Sequence, residues 1–306
     1  MPNSFPIIID ILMSTYNGEK YLKEQLDSII GQTYTNWKLL IRDDGSTDST
    51  KVIIKEYCRL YPDKIFFQED GLKNIGYKNS FAKLMLASTA EYISFSDQDD
   101  YWHSDKMQVL FDEMQILEKK EGDKPLLVCC DLSVCDEALN ELEPSYFHHI
   151  HFKQNQGQQV ILLASQLHGC AFLFNRHLLQ LCNRIIDPVK GLNDFLINGH
   201  DNFLSVVCAV SGKIHFVNQS LIKHRIHNDN SQGFSIARKK SLLVQIKTLL
   251  KYMFNNKAYR QEAYSNKIKE NQQIIKALMK LEVVKVPKLY TFFEDIENSA
   301  YFYRKY

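Results

Sequence analysis

The sequence contains no GxGxxG and no GxxxxGK followed by Ser or Thr, so neither of the usual glycine-built phosphate cradles is present. A nucleotide bound by this chain must have its phosphates neutralised in another way. No run approaches the roughly 18 apolar residues of a membrane-crossing helix. The opening residues, MPNSFPIIIDILMS, carry neither the basic leader nor the long apolar core of a secretion signal. The chain is therefore expected in the cytoplasm. Cysteine is poorly arranged for bridges or metals: seven residues, an odd number, with no CxxC pair. Core thiols in a reducing compartment are the expected outcome. A net charge of +1 offers no basic footprint for nucleic acid.

What is present is an ordinary globular composition, 45% hydrophobic and 24% charged over 306 residues. That length can bury one large core and carry an appendage. Charge is unevenly distributed. Between Arg238 and Lys288, thirteen Lys or Arg stand against three Asp or Glu, a local +10 that leaves −9 on the remainder. After Gly233 the texture also changes to long, Lys-rich, helical sequence. These contrasts separate a domain over residues 1–235 from a basic helical region over 236–306.

The first half alternates strand and helix signals. IIIDILMS (7–14) is a run of β-formers ended by the turn residues Asn17 and Gly18. From Glu19 to Ile30 apolar residues recur at helical spacing, with Gln25 the polar exception. WKLLIRDD, KIFFQED and EYISFSD read as further strands, with KVIIKEYCRLY and GYKNSFAKLMLAS as helices between them. LLVCCDLSV, HGCAFLFN, KIHFV and SLIKHRIH supply later strands, RHLLQLCNRI and HDNFLSVVCAVSG later helices, and SYFHHIHFKQNQGQQ a loop with short elements. This alternation predicts an α/β fold: a doubly wound, mainly parallel sheet flanked by helices.

In open α/β sheets, ligands bind beyond the carboxyl ends of the strands. Three ends here carry unusual residues: STYNG, DDGSTDST and SDQDD. Singly, each has a plain structural explanation as a turn, a capped helix start or the cap of the following helix. On one edge of one sheet, they point together to a ligand. The last puts Asp97, Asp99 and Asp100 within four positions, a density of like charge that calls for a cation. A divalent ion held by hard oxygen ligands would satisfy the acids and neutralise a diphosphate. Asp97 and Asp99, two apart on a tight turn, can point at one such ion.

ILMSTYNGEKYLKEQLDSIIGQTYTNWKLLIRDDGSTDST (11–50), FSDQDDYWHSDKM (95–107) and GHDNFL (199–204) together resemble the family 2 glycosyltransferases of the GT-A fold, over roughly residues 7–232. Within that family, DQDDYW followed by a Lys resembles bacterial rhamnosyltransferases that use dTDP-L-rhamnose. The resemblance implies a nucleoside diphosphate sugar donor (dTDP or UDP), a Mn2+ or Mg2+ ion, and a glycan or lipid-linked acceptor in surface polysaccharide synthesis. It implies that Thr15, Tyr16, Asn17 and Glu19 line the nucleotide pocket. Asp44 would accept from the N3–H of uracil or thymine, a donor suited to a charged acceptor. Asp97 and Asp99 would touch ribose and metal, with Asp97 also near the ion. His227, in IKHRIHNDN with His224, would be a further metal or diphosphate contact. Trp102 and His200 are implied on the sugar and acceptor side. Asp100 is either an acid behind the ligands or the cap of the next helix.

An acceptor hydroxyl is a poor nucleophile, and a placed carboxylate can take its proton as the glycosidic bond opens. In the family this base is an Asp opening a helix late in the domain, the position of Asp201. Where the family usually has two acids, this chain has His200 and Asp201. One base with direct displacement inverts the configuration. Outside the resemblance, Asp201 is explained as an acid favoured by the helix dipole. The QxxRW motif of processive synthases is missing, so one sugar or a few would be added. Two rivals stay open. A nucleotidyltransferase would begin with a Gly-rich, basic loop, which STYNGEKYL is not; a non-catalytic relative would keep the pocket and lose the base. His148, His149 and His151 read as acceptor-site or surface histidines. SLLVQIKTLLKYMF (241–254) has one apolar face with its lysines mostly elsewhere. It is either a helix packed on the domain or a peripheral contact with anionic lipid at the inner face of the cell membrane.

Overall fold

The computed structural model describes residues 7–152, 167–186, 199–227 and 271–281. The chain divides into two compact units, Met1–Arg225 and Ile226–Tyr306.

In the first unit, β1 (Ile9–Thr15), α1 (Leu22–Ile30), β2 (Trp37–Asp43), α2 (Thr50–Leu60), β3 (Ile65–Phe67), α3 (Tyr77–Ala87) and β4 (Tyr92–Ser96) follow in strict alternation. β4 is buried along its whole length and β1 nearly so, as strands covered on both faces by helices must be. The helices turn one apolar stripe inward: Leu22, Leu26 and Ile29 from α1, Ile53, Ile54 and Tyr57 from α2. There follow β5 (Tyr101–Trp102), α4 (Lys106–Glu121), β6 (Leu126–Cys135), β7 (Glu141–Glu143) and α5 (Tyr146–His149). A 3-10 turn at Gly169–Ala171 then leads into β8 (Phe172–Asn175), α6 (Arg176–Ile185), α7 (His200–Ser211) and β9 (Lys213–Arg225).

The sheet runs β3-β2-β1-β4-β8-β6-β9-β5, with β7 on β6. The first four strands are mutually parallel, and β9 runs parallel to β6. β8 is wedged antiparallel between β4 and β6, making the sheet mixed. Register places Thr15 opposite Asp43 and Met13 opposite Ser96, so the carboxyl ends of β1, β2 and β4 share one edge. KIHFV and SLIKHRIH, expected as two short strands, are one continuous β9; its register against β6 shifts around Asp131, which absorbs the irregular middle. In the second unit, residues 271–280 are helical, with Ile274, Ile275 and Leu278 buried. The expected helix over 241–254 lies outside the described residues. Among those described, no helix is long and apolar enough to cross a membrane.

α7 ends on Gly212, whose amide donates to the Cys208 carbonyl at 2.8 Å, while the next amide, Lys213, donates to the Pro125 carbonyl at 3.0 Å. A Cβ on Gly212 would lie 1.7 Å from that same carbonyl oxygen. A clash with backbone cannot be relieved by turning a side chain. Gly212→Ala is expected to cost at least about 1–3 kcal/mol, read as a lower urea midpoint at unchanged slope; an unaltered midpoint would mean the β6–α7 junction is looser than this contact requires.

Candidate active site

Three loops at the shared strand edge are laced together by their own polar side chains. The Thr15 hydroxyl donates to Asp43 Oδ1 at 3.0 Å, and Asp43 Oδ2 accepts from the amides of Gly45 (3.0 Å) and Ser46 (2.9 Å). Asp43 thus folds the turn after β2 onto itself. Asn17 sits at φ 46°, a left-handed conformation that Asn tolerates. Its backbone amide donates to Ser46 Oγ at 2.9 Å, and its Oδ1 accepts from the Thr47 amide at 2.9 Å. Glu19 Oε2 accepts from the Ser49 amide at 2.8 Å, while the Glu19 amide donates to Asp48 Oδ2 at 3.1 Å. The turn after β4 joins through Gln98, whose amide pairs with both the N–H (2.9 Å) and the carbonyl (3.0 Å) of Tyr16. Gly18 makes room for it, since a Cβ there would stand 2.4 Å from Gln98 Oε1. Tyr16 is left 50% exposed.

Asp44 is buried beside Arg42. Its Oδ1 accepts from Arg42 Nη1 (3.0 Å) and the Ile75 amide (2.9 Å), and its Oδ2 from the Gly76 amide (2.7 Å). Arg42 also grips Asp70 through Nε and Nη2 and reaches Ser80 and the Leu72 carbonyl. Burial opposes its charge, but Asp70 and Asp44 outweigh that and raise its pKa. Among the described residues Asp44 Oδ2 accepts this one hydrogen bond, where a carboxylate oxygen can accept two.

The acidic turn is held from the other end of the domain. Asp100, fully buried, accepts on Oδ1 from His224 Nδ1 at 2.9 Å and from the Arg225 amide at 3.3 Å. Arg225 Nε donates to the Asp99 carbonyl at 2.9 Å, and its guanidinium also bonds Glu24 and the Glu137 carbonyl over the Tyr21 ring. Burial disfavours charge on His224, but Asp100 and then Asp97 hold its pKa up at about 9. Burial likewise works against the Asp100 carboxylate, and His224 overcomes it and keeps the pKa low. His224 does less for Asp97: burial first, then Asp100 and Asp99, push it to about 8 against the pull of the imidazolium. Asp201 adds to that load. At neutral pH Asp97 keeps a proton unless a cation arrives. The role of helix cap considered for Asp100 is not the one it has; Asp105 occupies the N-cap of α4.

Ligand atoms of Asp97, Asp100, Cys170 and His224 lie within 4.8 Å of one another. Asp100 Oδ2 is buried with no hydrogen bond of normal geometry, and the Cys170 thiol is near enough to lower the Asp100 pKa. These residues fit a cation. Asp99, expected as the metal acid, is not in this set. His227 falls in the second unit. Asp201 stands in the first turn of α7, half-buried, with Oδ1 accepting from the Asn202 amide at 2.7 Å.

Two expectations are corrected. Trp102, placed by resemblance on the sugar side, is 1% exposed. Its amide donates to Ser28 Oγ at 3.1 Å. Gln25, with its side-chain amide oriented to satisfy both ends, accepts from Trp102 Nε1 at 3.1 Å and donates to the Asp100 carbonyl at 2.7 Å. The buried Lys106 ammonium lies 3.1 Å from the Trp102 ring centroid. His200, placed on the acceptor side, is also buried. Its ring stacks on Phe81 at 4.0 Å and meets Phe95 edge-on at 4.6 Å. Neither ring nitrogen has a hydrogen-bond partner, and burial pushes its pKa down to about 3. Both aromatics are core residues because their apolar area is worth more inside than a polar tip is outside.

Gln98, Cys170 and Arg225 were missed as site residues. Only Gln98 carried a local signal, a lone amide between acids; the other two meet the acidic turn across 70 or more positions.

The depressed His200 pKa has a definite sign. Between its ordinary 6.5 and about 3, the unfolded chain takes a proton that the folded chain refuses, so stability present above pH 6.5 is lost on acidification. His200→Phe keeps the stack and removes the effect. The stability difference between wild type and variant should move by about 2 kcal/mol from pH 7 to pH 5, by urea denaturation; parallel losses would show that His200 can be protonated in place.

A family model described as Glycosyl transferase family 2 matches residues 10–181, more than half of the chain. An uncharacterized glycosyltransferase of Rickettsia typhi is 28% identical over 236 residues, 74% of this chain and 66% of that relative. The dTDP-rhamnosyl transferase RfbG of Shigella flexneri is 41% identical over 103 residues, 33% of this chain and 36% of RfbG. The chain thus spans about two thirds or less of these curated relatives. Among solved structures, S. aureus TarS with UDP superposes at a TM-score of 0.55 with 16% identity, covering 95% of this chain and 87% of TarS. The mannosyltransferase PcManGT of Pyrobaculum calidifontis, with GDP-Man and Mn2+, gives 0.54 at 14% identity, covering 94% and 83%. At such identity the likeness is one of fold.

Proposed function

Because this chain belongs to glycosyl transferase family 2, we propose that it is an inverting, metal-dependent GT-A enzyme that moves L-rhamnose from dTDP-L-rhamnose to a glycan or lipid-linked acceptor in bacterial surface polysaccharide synthesis. One observation carries the reading: three strand-end loops, laced into one rim, bring a half-buried Asp97 within the electrostatic reach of Asp201. Likeness to RfbG supports the dTDP-rhamnose donor, and the Mn2+ of PcManGT supports the ion.

Thr15, Asn17 and Glu19 act by fixing the rim. Exposed Tyr16 offers its ring to the base, and the second acceptor position of Asp44 Oδ2 takes the thymine N3–H. Asp97, with Asp99 beside it, faces ribose and diphosphate. A divalent ion held there would supply charge neutralisation to the leaving diphosphate. Asp201 orients the acceptor hydroxyl and takes its proton as the oxygen attacks the anomeric carbon from the face opposite the diphosphate. The carbon–oxygen bond to the diphosphate breaks, and the configuration inverts. Asp201→Asn should lower turnover by about 10²–10⁴-fold with dTDP binding retained, and a chelator should stop transfer until Mn2+ or Mg2+ is restored. Turnover that survives both changes would overturn the assignment.

The basic stretch within residues 236–306 is the part proposed to meet anionic lipid at the inner membrane face, where a lipid-linked acceptor is found; its charge supports this. Changing Lys239, Lys240, Lys247 and Lys251 together to Gln in the full chain should weaken co-sedimentation with anionic vesicles. Equal sedimentation would assign those lysines to solvent alone.

A further inference from the structure

We propose that Asp97, Asp100, Cys170 and His224 form a mixed oxygen, nitrogen and sulfur site for a borderline divalent ion such as Zn2+ or Co2+, with the Cys170 sulfur as a direct ligand. It rests on the function proposed above only in sharing Asp97.

The donors are already gathered. Their ligand atoms lie within 4.8 Å of one another, whereas a tetrahedral ion with bonds of about 2.0–2.3 Å needs separations of about 3.3–3.8 Å. Side-chain closure of about 1 Å completes the site. Three of the four residues are buried, and Asp97 is the half-exposed member through which an ion enters. Each buried donor is held by its backbone. Cys170 sits in the Gly169–Ala171 turn, pinned by Cys130 Sγ donating to the Ala171 carbonyl at 3.6 Å. The same turn is braced by His200, whose Nε2 would be 2.6 Å from a Cβ on Gly169. His224 is fixed by the pairing of β9 on β6, opposite Val134.

Donor chemistry selects the ion. Mg2+ prefers six oxygens, whereas thiolate and imidazole favour Zn2+ and Co2+. Binding displaces the Asp97 carboxyl proton, the Cys170 thiol proton and the proton that His224 shares with Asp100, all to solvent, and forms the oxygen–metal, sulfur–metal and nitrogen–metal bonds. Charge then balances. Two carboxylates and a thiolate face the divalent ion and the buried Lys106 ammonium, which is electrostatically coupled to Asp97, Asp100 and Cys170. That coupling gives a use to an ammonium that has no hydrogen-bond partner.

The test is titration of the metal-free full chain with Co2+, without nucleotide. One equivalent should bring a sulfur-to-cobalt charge-transfer band and the intense d–d bands of a four-coordinate ion. Cys170→Ser should lose the charge-transfer band and weaken Co2+ binding by at least about tenfold, while Cys58→Ser, altering the half-exposed thiol elsewhere, should keep both. Should Cys170→Ser fail to fold, X-ray absorption of the wild-type Zn2+ complex reads the same ligand as one sulfur at about 2.3 Å. Cobalt bound without a sulfur band, a band that survives Cys170→Ser, or zinc without sulfur would each overturn the site. Mg2+-supported transfer separates the two readings. Transfer without a thiolate band leaves the proposed function standing and removes this site; a band without transfer does the reverse.

Discussion

The ionised Asp100 is wholly inside the protein, and a buried carboxylate without a partner would cost several kcal/mol. Its partners are the imidazolium and the neighbouring amide at the end of β9. The geometry of the candidate site follows from this one pairing. Arg225, next in the chain, fastens the Asp99 carbonyl, Glu24 on α1 and the connection after β6. A single dipeptide therefore holds the acidic turn, a helix and a loop together. β9 is itself locked in register along β6, so the clamp cannot slide. The position of Asp97 is inherited from the sheet, and its neighbours are spent on internal bonds.

The loop after β2 shows the same economy with two adjacent acids. Asp43 turns inward on its own loop, accepting backbone amides two and three positions ahead. Asp44 turns to Arg42 and the amides preceding α3. Arg42 directs all five of its donors to partners within the domain. Burying a guanidinium is tolerable only when every N–H is satisfied and the charge is matched. The rim is thereby shaped before any ligand arrives, and a preorganised rim spares a ligand the entropy of ordering it.

What was legible in the sequence is what is local. A β-run followed by turn residues gives a strand and the direction of its end, so the common edge of β1, β2 and β4 could be read from STYNG, DDGSTDST and SDQDD. The polar exception in α1, Gln25, now has a cause, since it bonds the acidic turn and the Trp102 indole. What was not legible depends on distant partners. Cys170 reads as a core thiol because nothing near it in sequence shows Asp97 or Asp100 beside it. The resemblance implies Trp102 on the sugar side, yet strand alternation argues otherwise. Tyr101 points out at 37% exposed and Trp102 points in. His200 is the same case: the family pattern implies it beside Asp201 on the acceptor side, but helix geometry sends successive residues to different faces.

Asp100, Trp102 and Lys106 make the acidic segment more than a run of ligands. The first turn of α4 brings Lys106 back over Trp102, four residues behind it, and the indole face receives an ammonium that no hydrogen bond stabilises. Burial lowers its pKa to about 8, and the acids nearby oppose that fall. The segment thus carries both negative charges and one positive charge within ten residues, and β9 supplies two more cations, His224 and Arg225. Asp97 is the acid this compensation does not reach: burial, then Asp100 and Asp99, still push its pKa to about 8, and a divalent ion at the turn would be the charge that relieves them.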